Sequence, residues 1–351
     1  MKETIKPILA ITMGDPAGIG PEIVVKALNL KETYEKCRPI VTGDAQVMEW
    51  AVRQMGTAQK INAIENVSEA KFELGTIDVI DLKCVDMDTF EPGKVAPQCG
   101  NAAFVSIVKA IELAMANEVD GTVTAPLNKE ALHKGGHNFD GHTEIYAHYT
   151  GTKKYAMLLA DEFLRVIHVS THVSLREACD RVNKDRIIEV TELISDACKQ
   201  FGMESPRIGI AGLNPHASDN GLFGWEEEKE IIPAVNELRE RGFEVDGPVP
   251  PDTLFAKAKC GKYDGCVAMY HDQGHIPFKV VGFNWDKKTG KMDSAKGVNI
   301  TLGLPIIRVS VDHGTAFDVA GKGIASPDAM LLSIDYATRM AISRIEKNNR
   351  Q

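Results

Sequence analysis

Short apolar runs alternate with helix-period segments along most of the chain. Runs such as 8–12 (ILAIT) and 266–270 (CVAMY) are bounded by residues such as Gly and Pro, which predicts buried β-strands. Between these runs apolar residues recur at helical spacing. The predicted helices span 21–28, 104–117, 175–201, 226–241 and 327–347. This alternation is typical of an α/β fold with a mostly parallel sheet and helices on its faces.

Three apolar runs in the middle of the chain end at a histidine or one short turn before it, and these histidines are His172, His216 and His271. In an open α/β sheet, ligands bind beside the carboxyl ends of the strands. Three imidazoles brought there predict a catalytic divalent-metal site that leaves coordination open for substrate. Imidazole suits Zn²⁺ or Co²⁺ better than Mg²⁺. Alternatively, each histidine only bonds main-chain groups at a strand end; the context that all three share favours the metal site.

Several polar residues are candidates for binding an anionic ligand. Lys279, Asn299 and Arg308 are candidate anion contacts, since arginine binds phosphate bidentately and lysine supplies a mobile charge. Arg308 is the strongest of them because it follows the apolar run 300–307. The alternative for the charged residues is a solvated surface position. His142 lies in a predicted turn, where it either contacts ligand or serves only the turn.

Two glycine-containing segments are candidates for binding a cofactor. Segment 14–22 (GDPAGIGPE) follows the first predicted strand, and its glycines allow a close main-chain approach beside a helix N-terminus. Segment 311–323 (VDHGTAFDVAGKG) is dense in small residues around a histidine and two aspartates, as a loop around an adenosine would be. The usual dinucleotide fingerprint and the Walker sequence are both absent from the sequence.

Length and charge narrow the class of protein. A chain of 351 residues predicts two domains, and a net charge of −9 argues against a general nucleic-acid or anionic-membrane surface. The sequence has no apolar run long enough to span a membrane, and its first residues are not expected to form a signal peptide. Its seven cysteines are scattered without a CxxC pair, which is typical of a reducing compartment. A cytoplasmic location is therefore expected.

Seven sequence strings together resemble the 4-hydroxythreonine-4-phosphate dehydrogenase family. They are GDPAGIGP at 14–21, GHTE at 141–144, STH at 170–172, LNPH at 213–216, MYHDQG at 269–274, GVNITLGLP at 297–305 and VDHGTA at 311–316. The resemblance implies a two-lobed α/β/α subunit and a homodimer whose active site lies at the subunit interface. It implies a divalent metal (Zn, Co, Mn or Mg) bound by His172, His216 and His271, with the site shared between both chains. The implied substrate contacts are His142, Thr143, Lys279, Asn299 and Arg308.

Two of the segments also resemble the wider group of isocitrate and isopropylmalate dehydrogenases. Segment 14–22 is similar to their opening glycine motif, and 313–323 is similar to their adenosine-binding loop. This likeness implies NAD as cofactor, with Asp318 holding the adenosine ribose. The implied cofactor-binding residues are His313, Gly314, Thr315, Ala316 and Asp318. It also predicts a cofactor lobe at 1–125 plus 300–351, and a metal, substrate and dimerisation lobe at 126–299.

The predicted reaction depends on the branch of the family that the chain represents. The stretch between Lys279 and Asn299 includes a predicted exposed loop at 284–297 and is longer than in the vitamin B6 enzymes. With 274–277 (GHIP) and 170–181, it resembles a branch that acts on D-threonate or D-erythronate 4-phosphate in sugar-acid catabolism. This branch implies NAD- and metal-dependent oxidation and decarboxylation of a 3-hydroxy acid to dihydroxyacetone phosphate and CO₂. Asp272 and Lys279 are the candidate general bases.

Two alternatives remain open at this point. The first is 4-hydroxythreonine-4-phosphate dehydrogenase activity in pyridoxal 5′-phosphate biosynthesis. The second, from another class of enzyme, is a metal-dependent hydrolase or aldolase that uses the same three histidines without NAD.

Overall fold

The computed structural model describes residues 5–282, 285–286, 291–292 and 297–349. Contacts divide this part of the chain into two compact units. The first unit comprises the described residues up to Tyr155 and from Leu304 onwards, and the second comprises those in Ala156–Gly303. None of the helices in these described ranges combines the length and apolar character needed to span a bilayer.

The strands are numbered in chain order. Those of the first half of the chain are β1 (Ile8–Thr12), β2 (Arg38–Gly43), β3 (Lys60–Ile64), β4 (Thr76–Asp81), β5 (Gly121–Thr124), β6 (Ala156–Ala160) and β7 (Arg165–His168). Those of the second half are β8 (Ile208–Ala211), β9 (Val245–Val249), β10 (Gly265–Ala268), β11 (Trp285–Asp286), β12 (Lys291–Met292), β13 (Val298–Leu302) and β14 (Arg308–Val311).

The α-helices are numbered in the same way. They are α1 (Gly20–Ala27), α2 (Lys31–Lys36), α3 (Ala45–Met55), α4 (Pro97–Met115), α5 (Lys129–Lys134), α6 (His142–Thr150), α7 (Leu175–Asp180), α8 (Lys184–Gln200), α9 (Ile232–Glu240), α10 (Pro251–Lys259), α11 (His271–Gly282) and α12 (Asp328–Asn348). Two short 3₁₀ turns lie at Val67–Glu69 and Pro215–Asp219, and a π-helical turn lies at Glu227–Ile231.

The first unit contains a fully parallel sheet with the strand order β3-β4-β2-β1-β5-β14. The central strand β1 is buried almost throughout, as expected for a parallel strand with helices on both faces. Its apolar side chains contribute to a core with helix α4, in which Ile107 and Ile111 are buried. The predicted α/β fold with a mostly parallel sheet is confirmed.

The second unit contains strands in the order β13-β6-β7-β10-β8-β9. Strand β6 pairs antiparallel with both β13 and β7, whereas β7, β10, β8 and β9 are all parallel. Strand β10 lies between β7 and β8, and Ala268 at its end is level with His168 at the end of β7. The carboxyl ends of these three neighbouring strands therefore lie at one edge of the sheet, as the sequence predicts.

The helix predicted at 175–201 is wrong as a single element. It consists of α7 and α8, which are separated at residues 181–183. The Asn183 side chain accepts a hydrogen bond from the Arg186 amide at 2.9 Å and so begins a new helix. Helix α4 begins seven residues before the predicted start at 104, with Pro97 in its first turn.

The unit boundaries differ from the boundaries drawn from sequence at 125 and 300. Segment 126–155 lies in the first unit. Its helices α5 and α6 carry Leu132, Ile145 and Tyr146, which are fully buried in the core that contains α4. Most of the loop predicted at 284–297 lies outside the described residues; of this stretch, β11 and β12 form an antiparallel pair.

Candidate metal and substrate site

Two of the three predicted metal ligands lie together at the edge of the second unit's sheet. His172 follows strand β7 after a short turn, and His271 begins helix α11 just after β10. Their ring centroids are 5.7 Å apart. Both histidines line a cavity of about 430 Å³, which is also lined by Thr171, Ser174 and Tyr270. The strand ends therefore bring two imidazoles to one cavity, which leaves space for a ligand beside them.

The imidazole of His271 is oriented by the residue that follows it. Its Nδ1 lies 2.6 Å from Oδ1 of Asp272. Because the carboxylate accepts a hydrogen bond from Nδ1–H, the lone pair of Nε2 is left available to a metal ion. Asp272 is exposed and lines the same cavity.

A further histidine that the sequence analysis did not select packs on His271. The ring of His275 stacks on that of His271 with centroids 3.6 Å apart and an interplanar angle of 12°. Nδ1 of His275 donates to the main-chain oxygen of His271 at 3.0 Å. Burial, followed by repulsion from His271, lowers the pKa of His275 to about 4. The spacing of four residues on a helix that begins at His271 is the sequence signal for this contact.

His168 at the end of β7 is the fourth histidine of this cluster. Its ring centroid is 4.7 Å from that of His275, and the side chain is almost fully buried. Burial, with a smaller contribution from His275, lowers the pKa of His168 to about 3. Helix α11 has a glycine at 274 because a β-carbon there would overlap Nε2 of His168. The imidazoles of His168 and His275 are thus neutral near pH 7.

His216 lies at the same edge of the sheet, because β8 pairs with β10, but in a separate loop. The residue is exposed, and its φ of 56° lies in the left-handed region. Within the described residues of one chain, no three histidine, cysteine, aspartate or glutamate side chains form a group that could bind a metal ion. His216 therefore does not complete a three-ligand set with His172 and His271 inside a single chain.

The first unit holds three of the predicted substrate residues. Arg308 begins β14, is 2% exposed and donates from Nη2 to Oγ1 of Thr124 at 3.1 Å. Burial lowers the pKa of Arg308 to about 10. His142 and Thr143 form the first turn of α6. Burial, reinforced by the charge of Arg308, holds the pKa of His142 well below its usual range.

The His142 ring contributes a second indication of an anion site. Its Nε2 is buried and has no hydrogen-bond partner among the described residues. A buried polar atom of this kind requires a partner, and a ligand oxygen between His142 and Arg308 would supply one. Amide groups at the start of α6 add a further attraction for negative charge.

The remaining two predicted substrate residues lie in the second unit. Lys279 is on α11, one helical turn after His275, and its charge contributes to the lowered pKa of that histidine, after burial and His271. Asn299 is on β13 opposite Leu159 of β6 and is half-buried. The five predicted substrate residues are thus divided between the units, with three in the first and two in the second.

The two segments proposed for cofactor binding pack against each other in the first unit. The Ile19 amide donates to the Thr315 oxygen at 3.0 Å, and a β-carbon at residue 18 would approach the Thr315 side chain to 2.9 Å. The buried carboxylate of Glu22 accepts hydrogen bonds from the amides of Gly321 and Gly323. The glycine motif and the candidate adenosine loop therefore form one structure, which is joined by Glu22, a residue that sequence reasoning did not select.

The exposed side of this loop carries the other predicted cofactor residues. Gly314 is exposed, and a β-carbon built on it would meet no atom within 4 Å. Asp318 is exposed, whereas His313 and Ala316 are half-buried. His313 bonds through Nδ1 to the Gly314 oxygen at 3.0 Å. The main chain is thus open to a ligand at Gly314, with the Asp318 carboxylate available beyond it.

Asp15, within the same glycine motif, is a buried carboxyl group. Its Oδ1 accepts the Ala17 amide at 2.9 Å, and burial raises the pKa of Asp15 to about 6. A raised pKa means that the fold favours the protonated acid. Its contribution to stability is therefore fully present below the ordinary value of 3.8 and is lost as pH rises through about 6.

Asp15→Asn removes this titration while keeping an oxygen for the Ala17 amide. The free energy of unfolding of the variant minus that of wild type should rise by up to about 3 kcal/mol from pH 4 to pH 8, because each pKa unit corresponds to ~1.4 kcal/mol. Urea unfolding at both pH values measures the difference. Asp88→Asn, at an exposed position, is the matched control. An equal gain in the control, or none in Asp15→Asn, contradicts the assignment.

The fold and these residues define a two-unit α/β protein with a histidine-lined cavity, a class in which strand ends and helix N-termini bind small ligands. The chain belongs to the family described as "Pyridoxal phosphate biosynthetic protein PdxA", whose sequence profile matches residues 35–337. It is 48% identical over 339 residues to the D-threonate 4-phosphate dehydrogenase of Cupriavidus necator, covering 96% of this chain and 98% of that protein.

Two solved structures are similar over almost the whole chain. A 4-hydroxythreonine-4-phosphate dehydrogenase from Burkholderia phymatum superposes with a TM-score of 0.81 at 47% identity, covering 96% of this chain and 98% of that one. A 4-hydroxythreonine-4-phosphate dehydrogenase from Klebsiella pneumoniae gives a TM-score of 0.82 at 45% identity, covering 96% and 100%. The predicted family is confirmed, and the names of these relatives agree with the predicted class of enzyme, a dehydrogenase.

Proposed function

We propose that the protein is an NAD- and divalent-metal-dependent dehydrogenase that oxidises and decarboxylates a four-carbon 4-phosphorylated 3-hydroxy acid. The proposed substrate is D-threonate 4-phosphate or D-erythronate 4-phosphate, and the products are dihydroxyacetone phosphate and CO₂. The observation that carries the proposal is the full-length 48% identity to a protein named D-threonate 4-phosphate dehydrogenase. A second relative of that name, from Pectobacterium atrosepticum, is 47% identical over 95% of this chain.

The alternative substrate is 4-hydroxythreonine 4-phosphate, and the names of the two solved structures favour it. Both substrates have a phosphate at C4, a hydroxyl at C3 and a carboxylate at C1. They differ at C2, which bears a hydroxyl in the sugar acids and an amino group in the other compound. Contacts to phosphate and carboxylate therefore serve both substrates, and only turnover separates them.

The side chains at the second unit's sheet edge fit a divalent metal. His172 and His271 share one cavity, and Asp272 leaves Nε2 of His271 available. A site of three imidazoles suits Zn²⁺ or Co²⁺, with Mn²⁺ or Mg²⁺ as the oxygen-preferring alternatives. When bound, the ion supplies Lewis-acid chemistry for the substrate's C3 hydroxyl and carboxylate oxygens. The proposed ligands are His172, His216 and His271.

The chain's own residues then bind and orient the substrate. Arg308 and His142 would hold an anionic group between two buried donors, assisted by Thr143 at the start of α6. Lys279 and Asn299 are the candidate substrate contacts of the second unit. Contacts that fix the substrate's charged groups would lower the entropic part of the barrier. Lys279 and Asp272 are the candidates for proton transfer, and the Asp272 contact with His271 gives that carboxylate an orienting role.

The first unit would hold NAD at the structure formed by the glycine motif and the loop 311–323. The open main chain at Gly314 and the exposed carboxylate of Asp318 fit a nucleoside, with Asp318 accepting from the ribose hydroxyls. His313, Thr315 and Ala316 complete the loop. The cofactor preference of NAD over NADP follows from this carboxylate, which would repel a 2′-phosphate.

A homodimer with a shared active site is the proposed assembly. Several large apolar side chains of the second unit are exposed, including Leu222 and Val280, each 72% exposed, and Leu175, at 62%. Exposed apolar groups in this number are typical of an interface with another chain. Leu222 follows the His216 loop, and Val280 is on α11, the helix that begins at His271. The free thiols of all seven cysteines support a cytoplasmic location.

A substrate panel tests the proposed function. With NAD and a divalent metal, absorbance at 340 nm should rise with D-threonate or D-erythronate 4-phosphate, with kcat/KM at least about tenfold above that for 4-hydroxythreonine 4-phosphate, a difference of ~1.4 kcal/mol in transition-state binding. Chelation should abolish turnover and added metal should restore it. The reverse preference would support the vitamin B6 alternative. No absorbance change with any of the three substrates would favour the alternative function as a metal-dependent hydrolase or aldolase.

A further inference from the structure

The loop that carries His216 has an unfavourable main-chain conformation. Five consecutive residues that are not glycine, 216–220, have φ values of 56°, 56°, 71°, 44° and 59°. Residues other than glycine are disfavoured in this left-handed region, and a run of them is rarer still. Backbone of this kind persists only where its surroundings fix it, and it is most often found at functional sites.

One buried carboxylate fixes the entrance to the loop. Glu227 is 1% exposed, and its Oε1 accepts the amides of Leu213 and Asn214 at 2.7 and 2.8 Å. Its Oε2 accepts from Nδ2 of Asn214 at 2.8 Å. These are the two residues before Pro215, whose ring restricts the next step of the chain. The backbone is thus fixed two residues before His216.

The position of Glu227 in its helix is itself irregular. It begins the π-helical turn Glu227–Ile231, which leads into α9. Single π-helical turns of this kind occur frequently at functional sites. The far side of the loop has its own closure, since Ser218 donates from Oγ to the Gly224 oxygen at 2.5 Å. At the His216 end, Glu227 accepts from main-chain amides, whereas Glu226 accepts from the Asn214 side chain at 2.8 Å.

We propose that Glu227 is a positioning residue that holds the His216 loop in the conformation in which the imidazole binds the metal. The proposal rests on the proposed metal site. Glu227 would act through the main chain and need not touch the ion. Without it, the partly buried amides of Leu213 and Asn214 lose their acceptor, and the left-handed segment loses its fixed starting point. The imidazole would then sample other orientations, and metal affinity would fall.

Glu227→Gln in the full-length protein tests this role, because glutamine has the same shape and cannot accept at both side-chain positions. The dissociation constant for Co²⁺ should rise by about 10- to 100-fold, the usual effect of losing a group that orients a ligand. Hydrogen exchange at Leu213 and Asn214 should be faster in the metal-free protein. Glu230→Gln is the matched control, since Glu230 is in the same π-helical turn and accepts the Lys184 amide at 2.8 Å. It should leave both measurements unchanged.

A mutant cycle with His216→Ala separates positioning from general destabilisation. In the His216→Ala background, Glu227→Gln should change the Co²⁺ affinity by less than twofold, because the residue it positions is already absent. An equal loss in both backgrounds would overturn the proposal. If Glu227→Gln does not fold, Glu227→Asp, which keeps the charge on a shorter side chain, takes its place in the same cycle.

The outcomes also separate this proposal from the proposed function. A wild-type protein that binds neither Co²⁺ nor Zn²⁺ overturns the metal site, and the positioning role with it. Wild-type binding combined with an affinity in Glu227→Gln within twofold of wild type overturns the positioning role alone. Unchanged hydrogen exchange at Leu213 and Asn214 also overturns that role alone.

Discussion

Replacement of His271 by alanine is expected to lower kcat/KM by about 1000-fold or more, the scale seen when a group that stabilises transition-state charge is lost. His271 is the proposed ligand with the most support around it: Asp272 bonds to its Nδ1, His275 stacks on its ring, and His172 shares its cavity. Truncation would also weaken metal binding. Activity with D-threonate 4-phosphate and NAD, and a Co²⁺ titration, measure the two effects.

His148→Ala is the control for this experiment, because His148 is an exposed histidine on α6 of the first unit. It should retain wild-type activity and metal affinity. Full turnover of His271→Ala without added metal would contradict the metal-site proposal, whereas an equal loss in His148→Ala would mean that histidine removal acts on the fold.

Arg308→Met is the second change with a large expected effect. Loss of the guanidinium removes charge-assisted hydrogen bonds to the substrate, each worth about 1.5 to 3 kcal/mol. Two such bonds correspond to a fall in kcat/KM of roughly 100-fold or more. We expect most of this loss in kcat/KM to appear as a higher KM, since Arg308 orients the substrate and takes no part in bond making. Initial rates over a range of substrate concentrations separate the two parameters.

Arg308→Met should lose activity without losing thermal stability. Burial lowers the pKa of Arg308 to about 10, so the fold disfavours the cation in the absence of an anionic ligand. Methionine of similar length removes that unfavourable term, and the Tm of the variant without ligand should equal or exceed that of wild type. Substrate should raise the Tm of wild type and leave that of the variant unchanged. A large loss of Tm without ligand would instead indicate a structural role.

The edge of the second unit's sheet could be predicted because it depends on a local pattern and a general rule. Apolar runs identified β7, β8 and β10, and parallel strands that are neighbours present their carboxyl ends together. Hydrogen bonding confirms that β10 lies between the other two. The choice of Arg308 as a candidate also followed from a local pattern, a cation at the end of an apolar run, and its substrate role stays a prediction.

Other features depend on contacts between residues far apart in sequence and could not be predicted in this way. Glu22 lies 299 residues before Gly321 and accepts a hydrogen bond from the amide of that glycine. Strand β6, which pairs antiparallel, is an apolar run like the parallel strands. Hydrophobic periodicity therefore does not distinguish antiparallel from parallel pairing. The left-handed segment 216–220 contains no glycine that would signal it. The break between α7 and α8 has a local cap at Asn183, and this signal was present in the sequence.

The discontinuous first unit has a consequence for the order in which the protein is made. The second unit, 156–303, is encoded between the two parts of the first. During synthesis all strands of the second unit are available before β14 and α12 emerge, and domains generally fold as units as their residues become available. The unit that contains the first strand of the chain is therefore completed last. The glycine motif lacks its hydrogen bonds from the amides of Gly321 and Gly323 until those residues are made, so the proposed cofactor site cannot be completed before synthesis reaches residue 323.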